Sequence, residues 1–250
     1  MNVENKPASL YHYTSFENFL SIMDSMEIRF SSIDRVNDLS EKMIRSQKTF
    51  NRVDVEKYLL KNCKMLSFTN DSQNHQRMWA QYAPEGVCIR IDCGKFIEEN
   101  KEALEKYGII ANKIEYVRQS EKQEIEDDKI PGYINDFEME DFVSRHLKEF
   151  IFTKDKDWEN EKEYRFIAFT QEKIALSISS AFEEVYINEK AFQFDKLYKL
   201  QDLMKQKKGA ITPLDVKKFF WRLNCTLPIF FSKEFCDELS RICEQQRIVL

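Results

Sequence analysis

The chain has 250 residues and a net charge of −5, and its composition already excludes several classes of protein. Hydrophobic residues make up 42% and aromatic residues 13%, which is enough apolar material for a large core and excludes a mainly disordered chain. Only 5 Gly and 5 Pro argue against a loop-rich all-β sandwich and favour many helices. Acidic residues outnumber basic ones in residues 98–149, and basic residues outnumber acidic ones in residues 196–250. The acidic segment is typical of a solvated face.

The pattern of cysteines and histidines bears on metal binding, and the hydropathy bears on the cellular compartment. The six cysteines include no CxxC pair, and none of the three histidines has a close cysteine partner. This pattern predicts reduced thiols and no metal site. There is no apolar run long enough to cross a bilayer and no leader of the kind that directs secretion. We therefore expect a cytoplasmic protein with no membrane partner.

The first predicted element in chain order is a strand over residues 10–14, where apolar and polar side chains alternate. Thr14 and Glu17 have the spacing of a capping box, which predicts that a helix begins there and ends near Met26. The following pattern predicts strands over residues 28–31, 64–69 and 87–92 and helices over residues 39–60 and 74–82.

The second half of the sequence continues this mixture. It predicts helices over residues 95–107 and 136–152, a charged loop over 119–132, and strands over 113–117, 163–170 and 184–187. No βαβ rhythm or internal repeat is present. We predict an α+β fold with a mixed, mainly antiparallel sheet and inserted helices over residues 9–190. A mainly helical C-terminal extension over residues 191–250 is predicted to pack on it.

Several catalytic signatures are absent from the sequence. It contains no GxGxxG, GxxxxGK[ST], GxSxG or HExxH motif. A Rossmann site, a P-loop, an α/β-hydrolase elbow and a zinc-protease helix are therefore not supported. A nucleotide, if one is bound, must have its phosphates held in another way.

The first candidate for chemistry is His12-Tyr13-Thr14, at the end of the first predicted strand. Side chains two apart on a strand share a face, so His12 and Thr14 should point together and Tyr13 away from them. A histidine beside a hydroxyl can form hydrogen bonds with a ribose hydroxyl or a carbonyl. The alternative is a hydrogen-bonded core histidine, with Thr14 serving only as a helix cap.

The second candidate is the helix predicted over residues 74–82. Met78, Trp79 and Tyr82 lie on adjoining parts of one face of this helix. They could form a wall for a flat ring, although aromatic side chains at helical spacing usually belong to the core.

The third candidate is the stretch KDKDWENEKEYRFIAF, residues 154–169. Glu161, Glu163 and Arg165 alternate along the start of a strand, so all three should face the same side. Carboxylates beside a guanidinium can be a simple ion-paired edge. They can also stabilise the oxocarbenium-like transition state through which a glycosyl bond breaks.

The order of these motifs resembles a widespread bacterial and phage domain of unknown function. The resemblance rests on LYHYTS, RFSSIDRVND, SFTND, MWAQYAPEGVCIRID and K-x-x-x-W-x-x-E-x-E-Y-R, and it covers most of residues 9–190. A more distant likeness is to ADP-ribosyltransferases of the DarT type and to RNA 2′-phosphotransferases. These proteins also open with a strand ending in H-x-T, then a helix with an asparagine and a short strand.

The distant resemblance implies an ADP-ribosyltransferase-like fold and a set of site residues. A first-strand histidine would contact a ribose of NAD, which places His12 there, next to Tyr13 and Thr14. A serine or aromatic residue would pack beside nicotinamide, a role that falls to Ser67, Phe68 or Tyr82, with Trp79 also near the ring. The late strand would supply the catalytic glutamate, either Glu163 or Glu161.

The reaction that follows from this resemblance is cleavage of the nicotinamide–ribose bond of NAD and transfer of ADP-ribose to a macromolecule. The acceptor would be a nucleic acid or a protein. Glu163 would stabilise the developing positive charge, Glu161 would assist or activate the acceptor, and Arg165 would hold the carboxylates or a phosphate. A toxin or phage-defence effector with a cognate antitoxin or immunity partner is also implied.

Two other interpretations remain open at the level of sequence. The first is a non-catalytic module that binds a nucleotide or a nucleic-acid end through the same residues. The second is a nuclease-like magnesium site built from carboxylates, which are the ligands that this hard cation prefers. Its ligands would be Asp38, Glu41, Glu161 and Glu163.

Overall fold

A computed structural model describes residues 6–33, 50–71, 76–84, 86–118, 130 and 135–187. Within these residues the protein has an α+β fold with open, mainly antiparallel sheets, as the sequence predicts. The C-terminal extension, Asp38 and Glu41, almost all of the charged loop over 119–132, and the first part of the helix predicted over 39–60 lie outside the described residues.

The predicted helices and strands occur in the predicted order, with changes at several boundaries. The strand predicted over 113–117 is divided into two strands that pair with different partners, and the strands Thr153–Asp155 and Ala175–Ser177 were not predicted. The helices are α1 Phe16–Ser25, α2 Phe50–Asn62, α3 Gln76–Tyr82, α4 Cys93–Glu99, α5 Lys101–Lys106, α6 Asp136–Arg145 and α7 Leu147–Phe150. The strands are β1 Ser9–Ser15, β2 Glu27–Arg29, β3 Ser31–Ser32, β4 Cys63–Thr69, β5 Gly86–Asp92, β6 Ile110–Lys113, β7 Glu115–Val117, β8 Thr153–Asp155, β9 Glu163–Phe169, β10 Ala175–Ser177 and β11 Phe182–Ile187. None of the described helices is long and apolar enough to cross a membrane.

The chain divides into two compact units. Among the described residues, unit 1 includes those within 28–70 and 97–177, and unit 2 includes those within 8–27, 71–96 and 178–187. The domain boundary predicted at residue 190 stays a prediction.

Unit 1 is organised around the antiparallel pair of β4 and β9. In their register Ser67 lies opposite Arg165 and Thr69 opposite Glu163, and β6 pairs with the other edge of β9. Because side chains on a strand alternate between its faces, Ser67 and Arg165 share a face, and Phe68 belongs to the opposite one.

The core of unit 1 is formed by one end of this sheet and the helices α2 and α6. The buried residues that form it include Cys63, Met65 and Ile167 from the strands and Val55, Leu59, Met139, Phe142 and Val143 from the helices. The Tyr58 hydroxyl donates a hydrogen bond to Glu140 Oε2 at 3.2 Å, and Lys61 Nζ lies 2.9 Å from Asp136 Oδ2. Apolar burial and these two polar contacts together hold α2 against α6.

Two helices predicted as continuous are interrupted. The helix predicted over 136–152 begins with Asn135, whose side chain accepts a hydrogen bond from the Glu138 amide at 2.9 Å. It leaves helical geometry at His146 (φ −120°) and resumes as α7. The helix predicted over 95–107 is broken at Asn100, because the Asn100 amide exchanges two 2.8 Å hydrogen bonds with the backbone of Ser177.

Unit 2 contains an antiparallel sheet in the order β11-β5-β1. Tyr13 of β1 lies opposite Cys88 of β5, which in turn lies opposite Tyr186 of β11. These three side chains form a buried cluster with Met78, Trp79 and Ala83. Helix α3 therefore covers the face of the sheet to which Tyr13 belongs.

A close approach between β1 and β5 requires glycine at position 86. A Cβ atom at Gly86 would stand 2.0 Å from the carbonyl oxygen of Thr14, far inside van der Waals contact. The absence of a side chain at Gly86 therefore allows the two strands to pair up to the end of β1.

The cap of α1 differs from the prediction by one residue. Ser15, and not Thr14, is the N-cap, and its hydroxyl accepts a hydrogen bond from the Asn18 amide at 3.2 Å. Thr14 is still part of β1 and is buried. Phe19 and Ile22 bury the apolar side of α1, which ends at Ser25 with Met26 in the left-handed region (φ 54°).

Candidate functional site

The main candidate site is a set of four charged side chains in unit 1, here called the charge cluster: Lys154, Glu161, Glu163 and Arg165. Lys154 lies in the middle of β8, Glu161 ends a 3-10 helix over Lys156–Glu161, and the other two belong to β9. The exposed fractions of the four side chains lie between 3% and 8%. Ionisable groups buried to this extent require partners.

The charge cluster supplies those partners from within. Lys154 Nζ lies 2.7 Å from Glu161 Oε2 and 2.8 Å from Glu163 Oε2. Arg165 engages Glu163 through two hydrogen bonds, Nε to Oε1 at 2.7 Å and Nη2 to Oε2 at 2.8 Å. Two cations and two anions thus form a compact neutral group with the bidentate geometry that makes arginine–carboxylate pairs strong.

Backbone groups and neighbouring rings fix the charge cluster in place. Arg165 Nη1 donates to the Ile151 carbonyl at 2.6 Å, and the Glu163 amide donates to the Tyr116 hydroxyl at 2.8 Å. Lys154 Nζ stands 5.8 Å from the centre of the Trp158 ring. Lys162, in the left-handed region (φ 43°), turns the chain between the 3-10 helix and β9.

The electrostatics of the charge cluster keep Glu163 ionised. Burial alone would raise the pKa of Glu163, but the nearby Arg165 and Lys154 outweigh it and hold that pKa well below its usual range. Burial is also the main reason why the pKa of the Tyr116 phenol is raised above its ordinary value. Around neutral pH the site therefore contains a carboxylate and an un-ionised phenol.

The structure corrects the placement of one of the three residues predicted to alternate along β9. Glu163 and Arg165 share a face of β9 and contact each other directly. Glu161 lies in the preceding 3-10 helix and not in the strand, because the chain turns at Lys162. Glu161 joins the other two through the ammonium of Lys154.

The predicted middle residues, Ser67 and Phe68, lie on β4 in the same unit. Ser67 is partly buried, stands opposite Arg165 and shares its face of the sheet. Phe68 belongs to the other face and packs edge-on against Phe166, with 5.7 Å between the ring centres. The structure therefore brings Ser67 towards the charge cluster and places Phe68 among core side chains.

The other predicted residues belong to unit 2 and fall into two groups. His12 and Thr14 share one face of β1, and Tyr13 lies on the other, as the strand alternation predicts. The Tyr13 ring meets the Trp79 ring edge-on, 5.0 Å between centres and 80° between planes, and both side chains are 8% exposed. Tyr82 is partly buried beside them. The aromatic group is thus packed as a core cluster, on the face opposite His12.

Two of the four carboxylates considered for magnesium, Asp38 and Glu41, lie outside the described residues. In the part of the chain that the structure describes, no group of three or more His, Cys, Asp or Glu side chains could hold a metal ion.

Comparison with known proteins gives one family match. Residues 78–166 match the family model described as "Protein of unknown function (DUF2971)". This match confirms the resemblance to a domain of unknown function, over the part of the chain that it covers. No curated protein and no solved structure matches the chain.

The DUF2971 match spans all four members of the charge cluster as well as Trp79 and Tyr82, whereas His12 and Ser67 precede it. Lys154 is the member of the cluster to which the sequence assigned no role. Lys154 begins the motif K-x-x-x-W-x-x-E-x-E-Y-R, but it also belongs to the run KDKD, and a lysine in such a charged run is usually solvated. The signal that could have identified it is its position four residues before a tryptophan and seven before Glu161.

Proposed function

We propose that this protein is an ADP-ribosyltransferase-like enzyme that cleaves the nicotinamide–ribose bond of NAD and transfers ADP-ribose to a nucleic-acid or protein acceptor. The single observation that carries the proposal is the pairing of β4 with β9. It puts the middle motif, Ser67 to Thr69, beside the late motif, Glu163 to Arg165, with Ser67 opposite Arg165 and Thr69 opposite Glu163. These motifs lie far apart in the sequence, and the resemblance to ADP-ribosyltransferases assigns both to the NAD site.

The proposed reaction breaks the bond between the ribose C1′ atom and the nicotinamide nitrogen, and nicotinamide leaves with the bonding electron pair. A nucleophilic oxygen or nitrogen of the acceptor then attacks C1′ and gives up its proton to Glu161 or to solvent. The anionic form of Glu163 is the form that stabilises a cationic sugar. His12 is proposed to orient the ribose, and the cellular role proposed is that of a cytoplasmic toxin or phage-defence effector with a cognate antitoxin or immunity partner.

One observation favours a second candidate, a nucleotide-binding module without turnover. Both carboxylate oxygens of Glu163 accept charged hydrogen bonds, from Arg165 and from Lys154. Those cations cancel much of the charge that the carboxylate would offer to a transition state. In this second candidate the charge cluster maintains the structure of unit 1, and the nucleotide binds without being cleaved.

Nicotinamide release and calorimetry with NAD, each with and without Mg²⁺, test the proposal on the full chain with protein, DNA and RNA as acceptors. We expect NAD to bind and nicotinamide to appear without a requirement for the metal. The variants His12→Ala and Glu161→Gln should each lower release at least tenfold, with His12→Ala also weakening NAD binding. Glu159→Gln is the matched control, because Glu159 is an exposed glutamate of the same 3-10 helix as Glu161.

The outcomes separate the candidates. NAD binding with no nicotinamide release from any acceptor overturns the enzyme and supports the binding module. Absence of both NAD binding and nicotinamide release overturns the enzyme and favours a module that binds another nucleotide or a nucleic-acid end. Calorimetry with other nucleotides and with DNA and RNA ends tests that module, and absence of binding to all of them overturns it. Release that requires Mg²⁺, or cleavage of the nucleic acid itself, points instead to the carboxylate–magnesium interpretation.

A further inference from the structure

The charge cluster contains one cation shared by two carboxylates. The Oε2 atoms of Glu161 and Glu163 both lie within 2.8 Å of the same nitrogen, Lys154 Nζ. Arg165 donates hydrogen bonds to Glu163 and to the Ile151 carbonyl, whereas Lys154 contacts both Glu161 and Glu163. The two cations therefore have different places in the cluster.

We propose that Lys154 is a positioning residue, whose single buried ammonium holds Glu161 and Glu163 together as two charged carboxylates at a fixed separation. Its importance for turnover rests on the function proposed above. The holding of the two carboxylates is a property of unit 1 that can be measured without any reaction.

The physical argument is the balance of charge in a buried site. With Lys154 present, two cations face two anions. Without the ammonium of Lys154, the carboxylates of Glu161 and Glu163 would have only the guanidinium of Arg165 to balance them among the four groups of the cluster. Two carboxylates that share one site strongly raise the pKa of one of them, so both should not stay ionised at neutral pH. One of them would take up a proton.

Three described groups beside the charge cluster, a phenol, a thiol and an indole, do not supply the missing charge. The Tyr116 phenol, which accepts the Glu163 amide hydrogen bond, is un-ionised and lies on β7. The Cys63 thiol lies on β4 near Arg165, and burial raises its pKa to about 12, so it too is neutral. The Trp158 ring contributes no formal charge.

The test is a carbon NMR titration of the glutamate side-chain carboxyl groups, with Glu161 assigned by its loss in Glu161→Gln. In the wild-type protein neither cluster carboxylate should titrate above about pH 5. In Lys154→Met, one of them should titrate above about pH 6. Lys154→Arg should behave as the wild type, as should the control Lys156→Met, which removes an exposed lysine two residues away. Unchanged titration in Lys154→Met overturns the proposal.

A second measurement decides the question if Lys154→Met folds poorly. The double variant Lys154→Met/Glu161→Gln restores a neutral cluster of one cation and one anion, so it should recover most of the melting temperature lost in Lys154→Met. A double variant whose loss equals the sum of the two single losses contradicts the proposal.

Nicotinamide release supplies the third readout and separates this proposal from the proposed function. The rising limb of the pH–rate profile should move to higher pH in Lys154→Met and return in Lys154→Arg, because the reaction requires the ionised carboxylate. A wild-type protein that releases no nicotinamide would overturn the proposed enzyme, while the carboxyl titration would still decide the role of Lys154.

Discussion

Each unit of the protein contains an arginine paired with glutamates on a sheet, but the two arrangements differ in their contact with solvent. In unit 1, Arg165 and Lys154 hold Glu163, and the side chains are 3–6% exposed. In unit 2, Arg90 of β5 contacts Glu183 and Glu184 at 3.0 Å each, and the side chains are 29–33% exposed.

The comparison shows how burial changes the consequence of the same chemistry. A partly exposed ion pair contributes little, because water screens it and because both side chains lose conformational freedom. A buried charge that loses its partner is strongly destabilising, because the remaining ion has no solvent to replace that partner. The charge cluster should therefore control the stability of unit 1, and the Arg90 pairs should be nearly neutral for unit 2.

The largest expected effect is that of Glu163→Gln, which leaves Lys154 and Arg165 without the anion that they share. We expect the free energy of unfolding to fall by about 3–5 kcal/mol, as for other broken buried ion pairs. Equilibrium unfolding in urea measures this loss, with Glu159→Gln as the exposed control. A loss below about 1 kcal/mol would mean that the buried and the exposed pairs do not differ.

Acid provides a second way to discharge Glu163. Because the pKa of Glu163 in the folded protein is lowered below the ordinary glutamate value of 4.5, its contribution to stability is fully present above that value. The contribution is lost as the pH falls from there through the folded-state pKa. Melting temperatures measured from pH 7 to pH 2 should therefore decline below about pH 4.5, and Glu163→Gln should decline less. Parallel curves for the two proteins would contradict this assignment.

In unit 2 we expect the larger effect from the backbone and not from the charges. Gly86→Ala adds a Cβ atom that would lie only 2.0 Å from the carbonyl oxygen of Thr14. The free energy of unfolding should fall by about 1–3 kcal/mol or more, because β1 and β5 must move apart. Gly108→Ala is the control: its left-handed φ of 57° costs conformational energy, but no atom lies within 4 Å of the new Cβ. A smaller loss at Gly86 than at Gly108 would exclude the steric explanation.

The smallest expected effect is that of Glu184→Gln. Its carboxylate contacts Arg90 and accepts the hydrogen bond of the Tyr186 hydroxyl, but about 29% of its side chain is exposed. We expect the free energy of unfolding to change by less than about 1 kcal/mol, and salt to reduce the change further. Urea unfolding at low and high salt checks both statements. A loss as large as that of Glu163→Gln would show that burial does not decide the difference.

The sequence could predict the strands that carry the candidate site, because alternation of side chains identifies strands directly. The strand predicted over 64–69 is β4, Cys63–Thr69, and the strand predicted over 163–170 is β9, Glu163–Phe169. The interruption at His146 could not be predicted, because apolar residues continue at helical spacing on both sides of it. The same limit applies at Asn100, where a hydrogen-bonded partner distant in sequence breaks the helix.

Three of the four residues of the charge cluster were predicted from the sequence, but their arrangement was not. Glu163 and Arg165 could be placed on one face, since they are two residues apart on a strand. Glu161 could not be placed, because the turn at Lys162 depends on a left-handed backbone that the local sequence does not require. The burial of Lys154 could not be predicted from the charged run KDKD around it, because a lysine in such a run is usually solvated. Its spacing from Trp158 and Glu161 is the signal that sets it apart.

The positions of two tryptophans give the molecule a fluorescence signal for each unit. Trp79 lies in unit 2, enclosed by the aromatic cluster, and Trp158 lies in unit 1, with the Lys154 ammonium 5.8 Å from its ring. An indole surrounded by apolar groups emits at shorter wavelength than a solvent-exposed indole. A cation near an indole shifts the emission wavelength and quenches the emission. The third tryptophan of the chain, Trp221, lies outside the described residues and would be replaced in both variants by Trp221→Phe. In that background Trp158→Phe leaves Trp79 as the reporter of unit 2, and Trp79→Phe leaves Trp158 as the reporter of unit 1.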